Sequence, residues 1–303
     1  MQDIHDIKIG TLVSAENVKK VMPKLIPYGF ETFSITFWET IGGWDLELLA
    51  KEVENILSGT DCTISCLSVF CNPLLDTERG EDGRKSWKKI IKAAKYFGTD
   101  LVTGFTGRVV DRPVEESIPK FQEVFKPLAE MAGEKGVKIA FENCSMEGDW
   151  NRGDWNIAFS PKAWEMMFTV APYENLGLQW EPCHQMVQLI DPIPQLRKWV
   201  KKIFSVHGKD ASIAWDIIRE KGISGCEQFV WHRTPGFGDS NWADIISILR
   251  MFGYKGSIDI EGFHDPVYRD GLEYTGQVRA LKYLKECRGG DFVPNYEYDD
   301  GGI

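Results

Sequence analysis

One phrase recurs along this chain: an amphipathic helical stretch, a glycine, then a β-rich run. It reads VMPKLIPYGFETFSI around Gly29, IIKAAKYFGTDLVTGF around Gly98, LAEMAGEKGVKIAFE around Gly136 and IISILRMFGYKGSIDIE around Gly253. Glycine ends a helix in the left-handed conformation at little cost, and a following Val/Ile/Phe run suits a strand buried on both faces of a parallel sheet. The pattern predicts strands at 7–13, 30–36, 62–70, 99–105, 137–142, 176–181, 202–207 and 256–261. Helices are predicted near 16–27, 45–58, 84–97, 116–135, 160–170, 191–201, 241–252 and 272–287.

Strict alternation of eight strands with eight helices gives an α/β fold, a single (β/α)8 TIM barrel, for which 303 residues are enough. An open doubly wound sheet is the alternative, but KIGTL after the first strand offers one glycine where a phosphate loop needs several. Residues 1–288 are expected to form the barrel, and the Gly- and Asp-rich 289–303 a loosely packed or interface tail. Between His207 and Glu261 the sequence predicts a short extra helix at 213–221 and a long loop, FVWHRTPGFGDSNW. Long loops at the carboxyl ends of barrel strands usually belong to the site.

Four successive runs end on a lone ionisable group: KIAFE on Glu142, LGLQWE on Glu181, IFSVH on His207 and SIDIE on Glu261. Burying an unpaired charge is costly, and in such a barrel all four ends converge at the face where chemistry collects. At an effective dielectric near 20, two carboxylates ~4 Å apart repel by about 4 kcal/mol, so the group calls for a cation. Three carboxylates and one imidazole suit Mn²⁺ first, then Mg²⁺, Co²⁺ or Zn²⁺. Taken singly, each residue has a plainer reading, a helix cap, a surface ion pair or a satisfied histidine. Strand alternation turns Gln179, Ser205 and Asp259 inward beneath these ends, where they are expected to orient the ligands. Lys209, two beyond His207, is expected to face the mouth.

Composition removes several classes. A net charge of −10, from 45 acidic and 35 basic residues, lacks the basic footprint of a nucleic-acid binder. No apolar run approaches the ~20 residues that span a bilayer, and MQDIHDIKIG lacks the form of a signal peptide. Seven scattered cysteines without zinc-site spacing read as buried thiols of a reducing compartment. A cytoplasmic protein with no membrane partner is the expectation.

These residues carry a resemblance. The chain resembles the xylose isomerase-like barrel superfamily, in the sugar phosphate isomerase/epimerase branch that includes tagatose and psicose 3-epimerases and inosose dehydratase. The likeness spans nearly the whole chain and concentrates in FEN at 141–143, GLQWEPCH at 177–184, VHGKD at 206–210, and the stretch from PGFGDSNW to SIDIEGF between 235 and 263. It implies Glu142, Glu181, His207 and Glu261 as metal ligands and His184 as a substrate contact. The second ligand of the family is typically Asp, so Glu181 marks a departure of one methylene. A DNA-repair branch of the superfamily is rich in histidine. Here the third and fourth strands end in SVFCNP and TGFTGR, without histidine, and that branch is set aside.

Aromatic residues gather near predicted strand ends: Phe37, Trp38, Trp150, Trp155, Trp180 and Trp231. Such faces pack against the C–H faces of sugars, so a sugar, keto-sugar or polyol is the expected small-molecule partner, with Trp38 and Trp180 among its contacts. The expected chemistry is proton transfer next to a carbonyl through a metal-stabilised enediolate, with Glu142 and Glu261 as catalytic acid and base. His184, Lys209 and Arg233 are expected to hold hydroxyls; His232 and His264 carry no assignment. If a leaving group lies β to the carbonyl, the same enediolate makes a lyase, of inosose-dehydratase type or cleaving 3-keto glycosides with a small partner subunit. A sugar-binding barrel without turnover is a third alternative. A homo-oligomer is the expected assembly if no partner subunit exists.

Overall fold

Eight parallel strands, each delivered by a helix that runs back along the outside, close on one another in the computed structural model of the chain, which describes residues 6–291 and Val293. The strands are β1 (Lys8–Ser14), β2 (Thr32–Trp38), β3 (Thr63–Phe70), β4 (Leu101–Gly104), β5 (Lys138–Glu142), β6 (Leu176–Trp180) and β7 (Ile203–Gly208). A short pair follows, β8 (Asp210–Ile213) and β9 (Val230–Arg233), and then β10 (Ser257–Ile260). Around the closed barrel the order is β1, β10, β7, β6, β5, β4, β3, β2. The TIM barrel anticipated from the alternation is therefore present.

The helices are α1 (Val18–Leu25), α2 (Leu46–Leu57), α3 (Glu78–Ala93), α4 (Val114–Glu134), α5 (Pro161–Val170), α6 (Cys183–Met186), α7 (Pro192–Trp199), α8 (Trp215–Lys221), α9 (Trp242–Met251) and α10 (Glu273–Cys287). Capping side chains set several starts: Asp45 accepts from the backbone of Glu47 and Leu48, Ser160 from Ala163 and Asn241 from Asp244. Thr77 caps α3, which begins well before the predicted residue 84. The four glycines of the recurring phrase all adopt positive φ, from 64° to 93°, as the helix–glycine–strand reading requires. Outward-facing strand residues pack on the inner faces of the helices, as in the cluster of Trp87, Phe121, Phe125 and Phe141.

Two findings depart from expectation. The segment read as one loop, FVWHRTPGFGDSNW, contains β9, which pairs antiparallel with β8 from Asp210↔Arg233 to Ile213↔Val230. Its partner follows β7 almost without a break, so alternation alone could not separate the two. Asp210 anchors this hairpin, accepting from the backbone of Ala211 and Ser240 and from the Trp242 indole. The second is the extent of polarity inside the barrel, where branched apolar residues usually dominate: alternation turns Gln179, Ser205 and Asp259 inward, and four further residues join them. Here Ser34, Cys66, Ser68, Thr103, Gln179, Ser205 and Asp259 are wholly buried and bond largely to one another, as in Ser68 to Thr103 at 2.6 Å and Gln179 to Ser205 at 3.3 Å. The expected tail, 289–303, lies outside the described residues beyond Asp291 apart from Val293. Among the described residues no helix is long and apolar enough to cross a membrane.

Candidate metal centre and substrate cavity

Strands β5, β6, β7 and β10 are consecutive around the barrel, and their carboxyl ends carry Glu142, Glu181, His207 and Glu261. One ligand-type atom from each lies within 4.8 Å of all the others. His207 Nδ1 stands 3.2 Å from Glu261 Oε2, 3.9 Å from Glu142 Oε1 and 4.0 Å from Glu181 Oε1. Glu181 follows the last residue of β6, and its extra methylene brings its carboxylate to the same group. Its backbone N–H donates to Asn143 Oδ1 at 2.8 Å, while Asn143 donates back to the Glu181 carbonyl at 3.0 Å. Cys183 Sγ donates to Glu181 Oε2 at 3.1 Å.

Four atoms of this group, Glu181 Oε1, both ring nitrogens of His207 and Glu261 Oε2, are buried without a well-formed hydrogen bond, although His207 Nδ1 and Glu261 Oε2 lie 3.2 Å apart. Orphaned polar atoms in a protein interior call for a missing partner. Three oxygens and a nitrogen facing one another form a donor set that fits a divalent cation.

Electrostatics point the same way. Burial, then the charges of Glu181 and Glu261, push Glu142 well above the usual carboxylate range. Burial acts upward on the other two as well, but His184 and Lys209 outweigh it at Glu181. At Glu261, Lys209, His207 and His264 outweigh it. The Lys209 ammonium lies 3.0 Å from Glu261 Oε1 and 3.9 Å from Glu181 Oε2. Burial opposes its charge, yet these carboxylates hold its pKa well up. One ammonium among three carboxylates leaves Glu142 unbalanced unless further positive charge arrives.

Above the group opens a cavity of about 900 Å³, lined by Glu142, Glu261, His184 and Lys209 among others. His184 Nε2 lies 3.1 Å from Glu181 Oε1 and 3.5 Å from Lys209 Nζ. Two residues without a sequence assignment also belong here. His264 Nε2 is 2.9 Å from Glu261 Oε1, and His232 packs between the rings of His184 and His264. Burial, with Lys209 and His184 nearby, pushes His232 down to about 3. The only cue to His232 was its place in the long segment after β7; His264 follows Glu261 at three residues' distance.

Several expected contacts lie elsewhere. Trp180 is wholly buried, its indole donating to Gln185 Oε1 at 2.8 Å. It stands between inward Gln179 and Glu181, so alternation turns it to the helices. Arg233 is outside the cavity lining and pairs with Asp265 at 3.1 Å. Phe37 is buried against Trp44, and Trp150 donates to Glu115. Gln179, Ser205 and Asp259 bond within the barrel rather than to the four clustered residues; Asn143 and Cys183 hold Glu181 instead. Trp38 and Trp155 do line the cavity, joined by Phe70 and Phe105, which come from the SVF and TGF strand ends.

A closed parallel barrel with a buried carboxylate–imidazole group at the carboxyl ends of its strands places the chain among TIM barrels with a candidate metal centre. The sequence profile described as xylose isomerase-like TIM barrel matches residues 25–287, and the chain belongs to that family. An inosose dehydratase of Clostridium tetani (strain Massachusetts / E88) is 27% identical over 188 residues, 58% of this chain and 59% of that enzyme. Another, of Klebsiella pneumoniae subsp. pneumoniae, is 33% identical over 182 residues, 58% and 56%. The chain thus spans under two thirds of these dehydratases. The uncharacterized protein YfiH of Bacillus subtilis (strain 168) aligns over 289 residues at 25% identity, 80% of this chain and 88% of that one. Among solved structures, the 3-keto-D-glucoside 4-epimerase YcjR from E. coli superposes with a TM-score of 0.69 at 16% identity, over 93% of this chain and all of that one. At that identity the likeness is one of fold.

Proposed function

We propose that the chain is a divalent-metal-dependent sugar isomerase or epimerase that moves a proton next to a carbonyl. The observation that carries this reading is the group of four buried ligands, with atoms within 4.8 Å of one another, beneath a cavity that Glu142 and Glu261 line. Glu142, Glu181, His207 and Glu261 would hold the ion, with Mn²⁺ favoured by the oxygen-rich set. When bound, the ion supplies Lewis acidity to a carbonyl and its neighbouring hydroxyl.

The chain's own residues do the rest. Glu142 and Glu261 enter the cavity from strands separated by β6 and β7, so they reach one carbon from different sides. One removes the proton and the other returns it. Lys209 and His184, beside them, orient the substrate's hydroxyls. A lyase is the second reading, favoured by the relatives named inosose dehydratase. There, one of Glu142 and Glu261 takes the same proton and the other protonates a hydroxyl β to the carbonyl, which leaves as water.

The test is elemental analysis of the purified chain beside Glu142→Gln and His207→Ala, then solvent-deuterium exchange into ketoses, inososes and 3-keto glycosides. About one Mn²⁺, Co²⁺ or Zn²⁺ per chain, lost in both variants, is expected. A wild type without metal after reconstitution, or a metal-loaded enzyme without exchange at any substrate carbon, overturns the proposal. An exchanged isomer separates the isomerase from a dehydrated product of the lyase.

A further inference from the structure

The mouth of the barrel is divided in two. Glu142, Glu181, His207 and Glu261 come from β5, β6, β7 and β10, consecutive around the barrel; β4, β3 and β2 follow on the far side of β5, and β1 closes the ring. That other side is aromatic. Trp38 ends β2, Phe70 ends β3, Phe105 follows β4, and Trp155 swings in from the long connection after β5.

The four rings form a closed cycle. Trp38 lies 5.4 Å from Trp155 and 6.4 Å from Phe70; Phe105 lies 5.0 Å from Phe70 and 6.4 Å from Trp155. From outside, the Arg79 guanidinium sits 4.6 Å over the Trp155 ring and is itself held by Glu39 at 3.0 Å. Yet 57% of Trp38 remains exposed. A structural tryptophan would be packed away, as Trp87 and Trp164 are, both wholly buried. The backbone turns sharply after it: Glu39 takes φ of +60°, a conformation that costs a non-glycine residue about 1–3 kcal/mol and gathers at functional sites. Gly104 at φ +155° does the same service before Phe105, where an added side chain would collide with the Val69 carbonyl.

Size and charge narrow the occupant. Small-molecule cavities run from about 300 to 1,000 Å³, and this one, about 900 Å³, exceeds what a single sugar ring fills. Among the described residues that line it, Lys209 is the sole lysine or arginine, and its ammonium is held by Glu261. The carboxylates of Glu147 and Glu273 also line it. Among the described residues no lysine or arginine lines the aromatic side; the Arg79 guanidinium over Trp155 lies outside the lining and is already held by Glu39.

We infer that the substrate is an uncharged two-ring glycoside: the ring that reacts lies over Glu142 and Glu261, and the second ring stacks on Trp38, Trp155, Phe70 and Phe105. The inference rests on the sugar-enzyme reading for its first ring, but the aromatic subsite is separately testable by binding, without turnover.

The experiment is calorimetric titration of the metal-loaded chain with methyl β-D-glucopyranoside, 4-nitrophenyl β-D-glucopyranoside and D-glucose 6-phosphate. The aryl glucoside is expected to bind about tenfold more tightly than the methyl glucoside, as an aromatic stacking contact supplies. The phosphate is expected to bind no better than the methyl glucoside. In Trp38→Ala the aryl-to-methyl ratio should fall towards one, and Trp38→Phe should restore most of it. Equal affinities in the wild type, a ratio preserved in Trp38→Ala, preferred binding of the phosphate, or no binding of either glucoside at millimolar concentration each overturn the inference. Failure of deuterium exchange with an intact aryl preference would sink proton transfer alone. Exchange with free ketoses but no aryl preference would sink the subsite alone.

Discussion

Replacing Lys209 by methionine keeps the bulk of the side chain and removes the one ammonium amid the buried carboxylates. Lys209 is 3% exposed, and its nitrogen is 3.0 Å from Glu261 Oε1 and 3.9 Å from Glu181 Oε2. At an effective dielectric near 20, a pair at the shorter distance attracts by about 5 kcal/mol. Removing one partner of a buried pair typically costs about 3–5 kcal/mol, because the other charge stays behind. For a chain of this size the metal-free variant should therefore melt roughly 5–8 °C below the wild type at pH 7. The pH dependence fixes the cause. Glu261 has a depressed pKa in the fold, so its share of the stability is present above its unfolded value of about 4.3 and fades as pH falls through the folded one. Lys209 has a raised pKa, so its share is present below about 10.4 and fades as pH rises through the folded value. The gap between wild type and variant should be widest between about pH 5 and 10 and narrow in acid. Thermal melts in EDTA across that range measure it, and added Mn²⁺ should recover part of the loss by replacing the missing charge. A gap equivalent to less than ~1 kcal/mol at pH 7, or one that does not narrow in acid, refutes the reasoning.

Glu142→Gln should lower solvent-deuterium exchange into substrate by about 10²–10⁴-fold; exchange within tenfold of wild type would remove Glu142 from the proton path. Asp265 accepts from the backbone of Thr234, Val267 and Tyr268 and pairs with Arg233. Asp265→Ala should cost about 2–3 kcal/mol in urea unfolding and raise KM, because the segment it clamps carries Phe263 and His264 into the cavity; unchanged stability and KM would contradict this. Burial pushes the thiols of Cys66 and Cys71 up to about 11 and 12, while Cys226 is exposed. A thiol reagent at pH 8 should modify Cys226 first and reach Cys66 and Cys71 only in denaturant; prompt labelling of either buried thiol, seen by peptide mass, would show the barrel interior to be open.

Most of the barrel was legible because its sequence repeats one physical solution: a helix that stops on a left-handed glycine and drops into a strand too apolar to face water. Gly29, Gly98, Gly136 and Gly253 each do this. What escaped lacked a period. The β8–β9 hairpin escaped because β8 follows β7 after a single residue, so the two read as one run, and its antiparallel partner β9 lies beyond a helix. Part of the polar barrel interior escaped for another reason. Alternation turns Gln179, Ser205 and Asp259 inward, whereas Ser34, Ser68 and Thr103, which bond one another across strands, are each only a small residue at an inward position when a strand is viewed alone.

The two halves of the mouth differ in how they announce themselves. A carboxylate at the end of an apolar run is an energetic anomaly that demands an explanation within a few residues, and four such anomalies bring Glu142, Glu181, His207 and Glu261 together before any coordinate is known. An aromatic residue at a strand end is no anomaly, because packing on a helix explains it equally well. Trp180 and Phe37 turn to the helices, while Trp38 and Phe70 turn to the cavity. Side-chain alternation decides between these outcomes, and it is known only once each strand's last residue is fixed. Trp180 shows the consequence: with Glu181 turned to the ligand group, its neighbour must face away. The charged half of such a site can thus be read from composition at strand ends, whereas its stacking half depends on register, which the closed barrel supplies.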